Sequence, residues 1–131
     1  MNELLIEAKT ENVDTVLNFI NKHIGECPPK ISNQIGIAVD EVLSNIIRYA
    51  YHPDTGSVLA RIIVNNVITI EFEDGGMAYD PFSSDDPDFT LSAEERDIGG
   101  LGIFILKNIM DSVKYRREGN KNILTIQKAL K

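Results

Sequence analysis

Glu41 and Asn45 lie four positions apart in a stretch with an apolar helical pattern, so both side chains share one helix face. A carboxylate there can accept a proton from a nucleophile. The neighbouring amide oxygen suits a hard cation such as Mg²⁺, which prefers oxygen ligands and is shared with phosphates. The pair therefore predicts a site for acid–base or metal-assisted chemistry, and an exposed polar helix face is the alternative interpretation.

A second cluster, Asp74-Gly75-Gly76, follows the alternating run from residue 68 to residue 73, which predicts a strand. An Asp at a strand end can present its carboxylate to a cleft while the glycines let the backbone turn sharply. That carboxylate can accept a hydrogen bond from an exocyclic amine such as that of adenine. A plain turn is the alternative, because Asp-Gly and Gly-Gly are common turn dipeptides.

A third cluster, Gly99-Gly100-Leu101-Gly102, opens a predicted helix. Glycines let backbone N–H groups approach a phosphate, and a helix N-terminus favours negative charge. The spacing matches neither a Walker A loop nor a dinucleotide-binding fingerprint, and a glycine-rich helix start without a ligand is the alternative interpretation. The aperiodic stretch from residue 75 to residue 98 is long enough to indicate a functional or disordered segment. Together the three clusters predict a nucleotide pocket with a lid over the phosphates.

These clusters need a framework of helices and hairpins to bring them together. Consecutive hairpins and grouped helices favour an α+β, two-layer sandwich with a mixed, mostly antiparallel sheet and helices on one face. Asn12 is expected to cap the first helix, and Asn65-Asn66 to form a tight hairpin through positive φ. The predicted helices cover residues 12–24, 30–51 and 100–111, and the predicted strands cover 3–9, 58–64, 67–73, 113–117 and 122–127.

Length and composition limit the class of protein. The 131 residues predict one domain over residues 1–131, and the formal net charge of −7 argues against a nucleic-acid partner. Cys27 has no second cysteine to pair with, and His23 and His52 are too scattered to predict a metal site. With neither a signal peptide nor an apolar run of about 18 residues, we expect a cytoplasmic protein without a membrane partner.

The three clusters resemble the N, G1 and G2 boxes of the GHKL ATPase superfamily, the Bergerat fold, and are most similar to stand-alone bacterial anti-sigma factor serine/threonine kinases. The resemblance extends from the first strand to Lys128. The segments that carry it run from Asp40 to Tyr51, from Asp74 to Gly76 with Asp80-Pro81-Phe82, and from Ile98 to Ile103 with Met110-Asp111.

The resemblance implies a role for each candidate residue. Asn45 would bind Mg²⁺ between the ATP phosphates, and Glu41 would be the general base. Asp74 would bind the adenine amino group, with Gly76 giving the base room. The implied phosphate ligands are Gly99, Gly100, Leu101 and Gly102, with residues 77–98 as the ATP lid and Arg96 reaching a phosphate.

The same resemblance implies a kinase that uses ATP and Mg²⁺ to phosphorylate a hydroxyl on an anti-anti-sigma (STAS-type) partner. It would also sequester a sigma factor and form a homodimer. Two residues depart from the family pattern: Ala78 stands where a second glycine is common, and Arg48 where many relatives have His. Ala78 gives weight to the alternative, an ATP-binding partner-switching module without significant kinase activity, whereas Glu41 and Asn45 together favour the kinase.

Overall fold

The computed structural model describes residues 2–51, 54–82 and 98–130. Its strands form a single sheet in the order β1-β2-β3-β5-β4, and every pairing between these strands is antiparallel. The predicted mostly antiparallel sheet is confirmed, without a parallel pair among the described residues. The strands are β1 (Asn2–Glu7), β2 (Ser57–Val64), β3 (Val67–Asp74), β4 (Ser112–Glu118) and β5 (Lys121–Ala129).

The described helices are α1 (Val13–Ile24), α2 (Pro29–Asn45) and α3 (Ile98–Ile109). Pro29 occupies the first turn of α2, where its missing N–H costs no hydrogen bond. After Asn45 the helix continues as one π-helical turn, Ile46–Ala50, so the predicted helix to residue 51 is confirmed in extent but not in winding. None of the described helices is both long and apolar enough to span a membrane.

The core lies between the helices and one face of the sheet. Along β3, Ile68, Ile70 and Phe72 are fully buried, while the alternating residues between them are partly exposed. Val16 and Ile20 of α1 and Val39 of α2 join the same cluster. A strand buries every second residue and a helix buries one stripe of its surface, and here these two buried surfaces pack together. The predicted α+β sandwich is therefore confirmed.

Two asparagines act differently from the sequence prediction. Asn12 precedes α1, but its side chain caps no helix N–H and instead donates to the carbonyl of Glu7. The hairpin at Asn65-Asn66 forms as predicted, but no described residue other than glycine has a positive φ. The Asn65 side chain instead accepts the backbone N–H of Val67 at 3.0 Å, which closes the turn.

The predicted lid falls mostly on residues 83–97, which lie outside the described residues, and so does Arg96. Described structure resumes at Ile98, the first residue of α3. Gly99, Gly100 and Gly102 therefore belong to the helix itself, whose described part starts two residues earlier than the sequence pattern indicates.

Candidate functional site

The last turns of α2 carry the carboxylate and the amide predicted to work together. Asn45 Nδ2 donates to the backbone carbonyl of Glu41 and to Glu41 Oε1, both at 3.0 Å. Asn45 is 5% exposed. The i, i+4 spacing thus produces a directly hydrogen-bonded pair, and the amide holds one carboxylate oxygen in place.

The carbonyl oxygen of the same amide is available to a ligand. Asn45 Oδ1 is buried and has no hydrogen-bond partner within the described residues. A buried polar atom without a partner costs about 1–3 kcal/mol, so such an atom indicates a ligand that satisfies it. A hard cation bound by one amide oxygen and by substrate phosphates fits this position.

Burial also changes the Glu41 carboxylate. Desolvation raises the pKa of Glu41 above its usual value, against the hydrogen bond from Asn45 and the positive charge of Arg48, which both lower it. Oε2 accepts no hydrogen bond from the described residues. The group is therefore a carboxylate of increased basicity with one oxygen free, as a proton acceptor requires.

The first turn of α3 approaches this pair. The described part of α3 begins at Ile98, so Gly99, Gly100 and Leu101 lie in its first described turn. Backbone N–H groups at a helix N-terminus suit phosphate oxygens. Gly102 lies one residue further on and packs against the Glu41 carboxylate.

At the end of β3, Asp74 is 5% exposed, and its carboxylate is held through one oxygen. Asp74 Oδ1 accepts the backbone N–H of Gly76 and Nδ2 of Asn122, both at 2.9 Å. Oδ2 accepts no hydrogen bond from the described residues. The buried carboxylate therefore keeps one oxygen available for a donor such as an exocyclic amine.

Gly76 has a structural reason to lack a side chain. A Cβ there would lie 2.6 Å from the carbonyl carbon of Ala50 and 2.7 Å from its Cβ. The Ala50 carbonyl also accepts the N–H of Met77 at 2.8 Å. The room that Gly76 leaves is thus taken by the end of the π-helical turn, which joins the Asn45 helix to the Asp74 strand end.

Asn122 is a site residue that sequence reasoning missed. It is 5% exposed, pairs with Asp74 across β3 and β5, and donates to both Asp74 Oδ1 and the carbonyl of Met77. Its Oδ1 accepts the Tyr115 hydroxyl at 2.5 Å and Arg117 Nη1 at 3.0 Å. One signal could have revealed it: an amide in register with Leu124 and Ile126, at a position that faces the core.

One pocket joins the two polar groups. Asn45 lies in its wall together with Asp74 and Asn122, and the remaining lining is apolar or aromatic. Ala78 is exposed and does not line this pocket, so its methyl group takes no space from it. The apolar lining comprises Val42, Ile46, Ala50, Pro81 and Leu124, with Tyr79 and Tyr115 beside it.

Aromatic side chains lie at the rim. Tyr79 packs against Tyr49 with ring centroids 5.1 Å apart, and the Arg48 guanidinium lies 5.6 Å from the Tyr49 ring centre. Arg48, the departure noted in the sequence, is thus exposed beside the pocket. An apolar and aromatic pocket with a half-satisfied carboxylate in its wall suits a purine base, and the Glu41–Asn45 pair suits phosphates and a cation.

Comparison with known proteins identifies a family and named relatives. The family profile described as "Histidine kinase-like ATPase domain" matches residues 6–128. The chain is 26% identical to the serine/threonine-protein kinase BtrW of Bordetella bronchiseptica over 69% of its own length and 65% of that protein's length. It is 27% identical to an anti-sigma F factor of Clostridium perfringens over 97% and 95% of the two chains.

A solved structure shows the same fold at low sequence identity. The structure of the RsbU and RsbW domains of a Mycobacterium tuberculosis protein superposes with a TM-score of 0.65 at 14% identity. The match covers 99% of this chain and 33% of that one.

Proposed function

This chain belongs to the histidine kinase-like ATPase domain family, and we propose that it is an ATP-dependent anti-sigma factor with serine/threonine protein kinase activity. Its substrates would be ATP with Mg²⁺ and a hydroxyl on an anti-anti-sigma (STAS-type) partner. The curated relatives named as a serine/threonine-protein kinase and as an anti-sigma F factor support both halves of this proposal.

The observation that carries the proposal is the pairing of two incompletely satisfied groups in one pocket. Asn45 Oδ1 is buried without a partner beside the Glu41 carboxylate, and Asp74 Oδ2 is left open in the same pocket. A purine base at Asp74 and a cation-bound phosphate chain at Asn45 would satisfy both. A purine nucleoside triphosphate carries both the base and the phosphate chain.

On this proposal, the two ends of the pocket divide the work of binding. Asp74 Oδ2 would accept the adenine amino group, while Gly76 N–H and Asn122 hold the other oxygen. Asn45 would bind Mg²⁺, which would neutralise phosphate charge and polarise the γ-phosphoryl group when bound. The backbone of Gly99, Gly100 and Leu101 at the start of α3 would hold phosphate oxygens, with the proposed lid and Arg96 completing the site.

Transfer needs mainly positioning and charge stabilisation. The serine or threonine oxygen of the partner would form a new bond to the γ-phosphorus as the bond from that phosphorus to the β–γ bridging oxygen breaks. ADP would leave with the electron pair, and the hydroxyl proton would pass to Glu41 Oε2. Asn45 Nδ2, hydrogen-bonded to Oε1, would keep the free oxygen in position during this step.

Partner switching would follow from the state of the anti-anti-sigma protein. Once that protein is phosphorylated, the kinase would be free to bind and sequester a sigma factor. A homodimer and a cytoplasmic location, both expected from the sequence, belong to the same proposal. Ordering of the nucleotide-bound site would bias the chain toward one partner, as differential affinity for two states requires.

Isothermal titration with ATP, with and without Mg²⁺, tests nucleotide binding first. We expect Mg²⁺-dependent binding by the wild-type protein and loss of the Mg²⁺ contribution in Asn45→Ala. Asn33→Ala, at an exposed position of the same helix, is the matched control and should bind as wild type does. Unchanged Mg-ATP affinity in Asn45→Ala would contradict the metal assignment.

Transfer is tested by incubating the protein with γ-labelled ATP and a purified STAS-domain anti-anti-sigma protein. We expect phosphoserine or phosphothreonine on that protein. Glu41→Gln should keep ATP binding and slow transfer by about 100-fold or more, whereas Glu26→Gln, at an exposed position, should transfer normally. Mg-ATP binding without transfer by the wild-type protein would favour the partner-switching module without kinase activity.

A further inference from the structure

Gly36 and Gly102 both lie inside helices, and they differ in what surrounds them. A Cβ at Gly36 in α2 would meet nothing within 4 Å. A Cβ at Gly102 in α3 would overlap the Glu41 carboxylate and come within 2.5 Å of its Oε2. Glycine inside a helix is unfavourable relative to alanine, so close approach to Glu41 gives position 102 a reason to be glycine that position 36 lacks.

The contact at Gly102 involves the functional end of Glu41 rather than its stem. The three nearest atoms to such a Cβ are Oε1, Cδ and Oε2 of that carboxylate. Oε1 is the atom that accepts Asn45 Nδ2 at 3.0 Å. The carboxylate therefore lies between an amide on its own helix and the bare backbone of α3, which limits where Oε2 can be.

We propose that Gly102 is a positioning residue for Glu41: its missing side chain lets α3 hold the carboxylate in the orientation that takes the hydroxyl proton. The inference rests on the proposed kinase function and gives this glycine a role different from the phosphate contact that the resemblance implies. Because the carboxylate is the far end of a flexible side chain, an added methyl group displaces Glu41 rather than the backbone.

This displacement makes Gly102→Ala an informative variant. The helix gains a favourable residue, so the chain folds, but Glu41 must leave its hydrogen bond with Asn45 Nδ2. We expect ATP affinity within about threefold of wild type and transfer slowed by about 100-fold, the pattern of a lost transition-state interaction. Gly36→Ala is the matched control, and it should leave both binding and transfer unchanged.

A double-mutant cycle identifies the residue through which Gly102 acts. If the effect runs through Glu41, adding Gly102→Ala to Glu41→Gln causes no further loss of transfer. Additive losses would overturn the proposal, as would wild-type transfer in Gly102→Ala when Glu41→Gln is inactive. Loss of ATP affinity in Gly102→Ala would also overturn it, because Gly102 would then act as a phosphate contact.

A measurement that needs no activity separates this inference from the proposed function. In amide NMR spectra, the Asn45 side-chain NH₂ resonances should shift in Gly102→Ala, because Nδ2 loses Glu41 Oε1, and stay in place in Gly36→Ala. Unshifted Asn45 resonances would overturn the positioning role. If the resonances shift but Glu41→Gln transfers normally, the contact between Gly102 and Glu41 would stand. The general-base assignment would be contradicted instead.

Discussion

Glu73 and Asp74 are consecutive residues at the end of β3, and their carboxylates lie on opposite faces of the sheet. On the open face, Glu73 accepts hydrogen bonds from Arg61 Nη2 at 3.3 Å and Lys121 Nζ at 3.1 Å. On the helix-covered face, the donors to Asp74 within the described residues are neutral N–H groups, those of Gly76 and Asn122. One carboxylate is paired with cations, and the other is held by uncharged donors.

The difference shows what distinguishes a recognition site from an ion-pair network on the same strands. Arg61, on β2, forms ion pairs with three carboxylates on β1 and β3, so the charges of the open face are paired with one another. Asp74 is buried and lines the pocket, and one of its carboxylate oxygens is left for a donor that enters there. Acidity alone therefore predicts little, whereas burial with half-satisfied hydrogen bonding indicates a binding site.

Among the variants that test this comparison, Gly76→Ala is expected to have the largest effect on stability and on ATP binding. A methyl group there overlaps the Ala50 backbone, which cannot swing away as a side chain tip does. We expect a loss of about 3 kcal/mol in the free energy of unfolding, as for overpacked sites, together with loss of ATP binding. Denaturant unfolding and calorimetry measure the two.

Gly75→Ala is the control for that substitution. A Cβ at Gly75 lies 3.6 Å from the Tyr51 hydroxyl, an ordinary contact, although the residues are neighbours. Its stability and ATP affinity should stay close to wild type. If both variants lose ATP binding equally, the strand end itself rather than the Gly76–Ala50 contact is what the pocket requires.

Asp74→Asn should have the next largest effect, on binding rather than on folding. The asparagine oxygen can still accept from Gly76 and Asn122, but its NH₂ group then faces the pocket where an acceptor stood. Losing a charge-assisted hydrogen bond costs about 2 kcal/mol, or about 30-fold in ATP affinity. A 6-oxopurine triphosphate such as ITP should lose less, because its oxygen can accept the new donor.

Glu73→Gln tests the opposite face and should leave ATP and ITP affinities unchanged. Titration of both variants with both nucleotides gives the selectivity directly. An equal fall in the affinities for ATP and ITP in Asp74→Asn would show that the carboxylate does not recognise the exocyclic group of the purine.

The sequence predicted the local parts of this site well, because each depends on residues close together in the chain. The Glu41–Asn45 pair follows from helical spacing, and the Asp74 turn follows from strand alternation before two glycines. The apolar periods of the helices and strands likewise predicted the α+β sandwich. Their roles toward ATP, Mg²⁺ and phosphate stay predictions.

The missed parts depend on contacts between distant segments. Asn122 reaches Asp74 across 48 residues through the register of β3 and β5, which no local pattern specifies. The π-helical turn that brings the Ala50 carbonyl to Gly76 is a change of winding inside a continuous helical pattern. The contact between Gly102 and Glu41 depends on how α2 packs against α3. Tertiary packing decides such features, so a polar residue at a core-facing strand position was the one available hint.

A smaller effect is expected from Arg61→Ala on the open face. Its removal leaves Glu3, Glu71 and Glu73 facing one another without their shared cation. We expect a loss of about 1 kcal/mol in stability, which 1 M salt should reduce by screening the repulsion, with ATP affinity unchanged. Changed ATP affinity in Arg61→Ala would show that the two faces are coupled and would break the comparison.

The smallest effect is the pH dependence contributed by Glu73. The hydrogen bond from Lys121, helped by the charge of Arg61, lowers the pKa of Glu73 below its usual value of 4.5, although partial burial opposes the shift. A carboxylate with a lowered folded-state pKa stabilises the fold above its unfolded-state pKa, and that stability is lost as the pH falls through the folded-state value.

Wild type should therefore be more stable than Glu73→Gln at pH 7, by less than about 1 kcal/mol for a partly exposed pair. The difference should shrink as the pH falls below 4.5 and Glu73 takes up its proton. Urea unfolding of both proteins at pH 7 and pH 3 measures it. A difference that persists unchanged at pH 3 would mean that Glu73 contributes through packing of its stem, and the open face would then be stabilised by more than its charges.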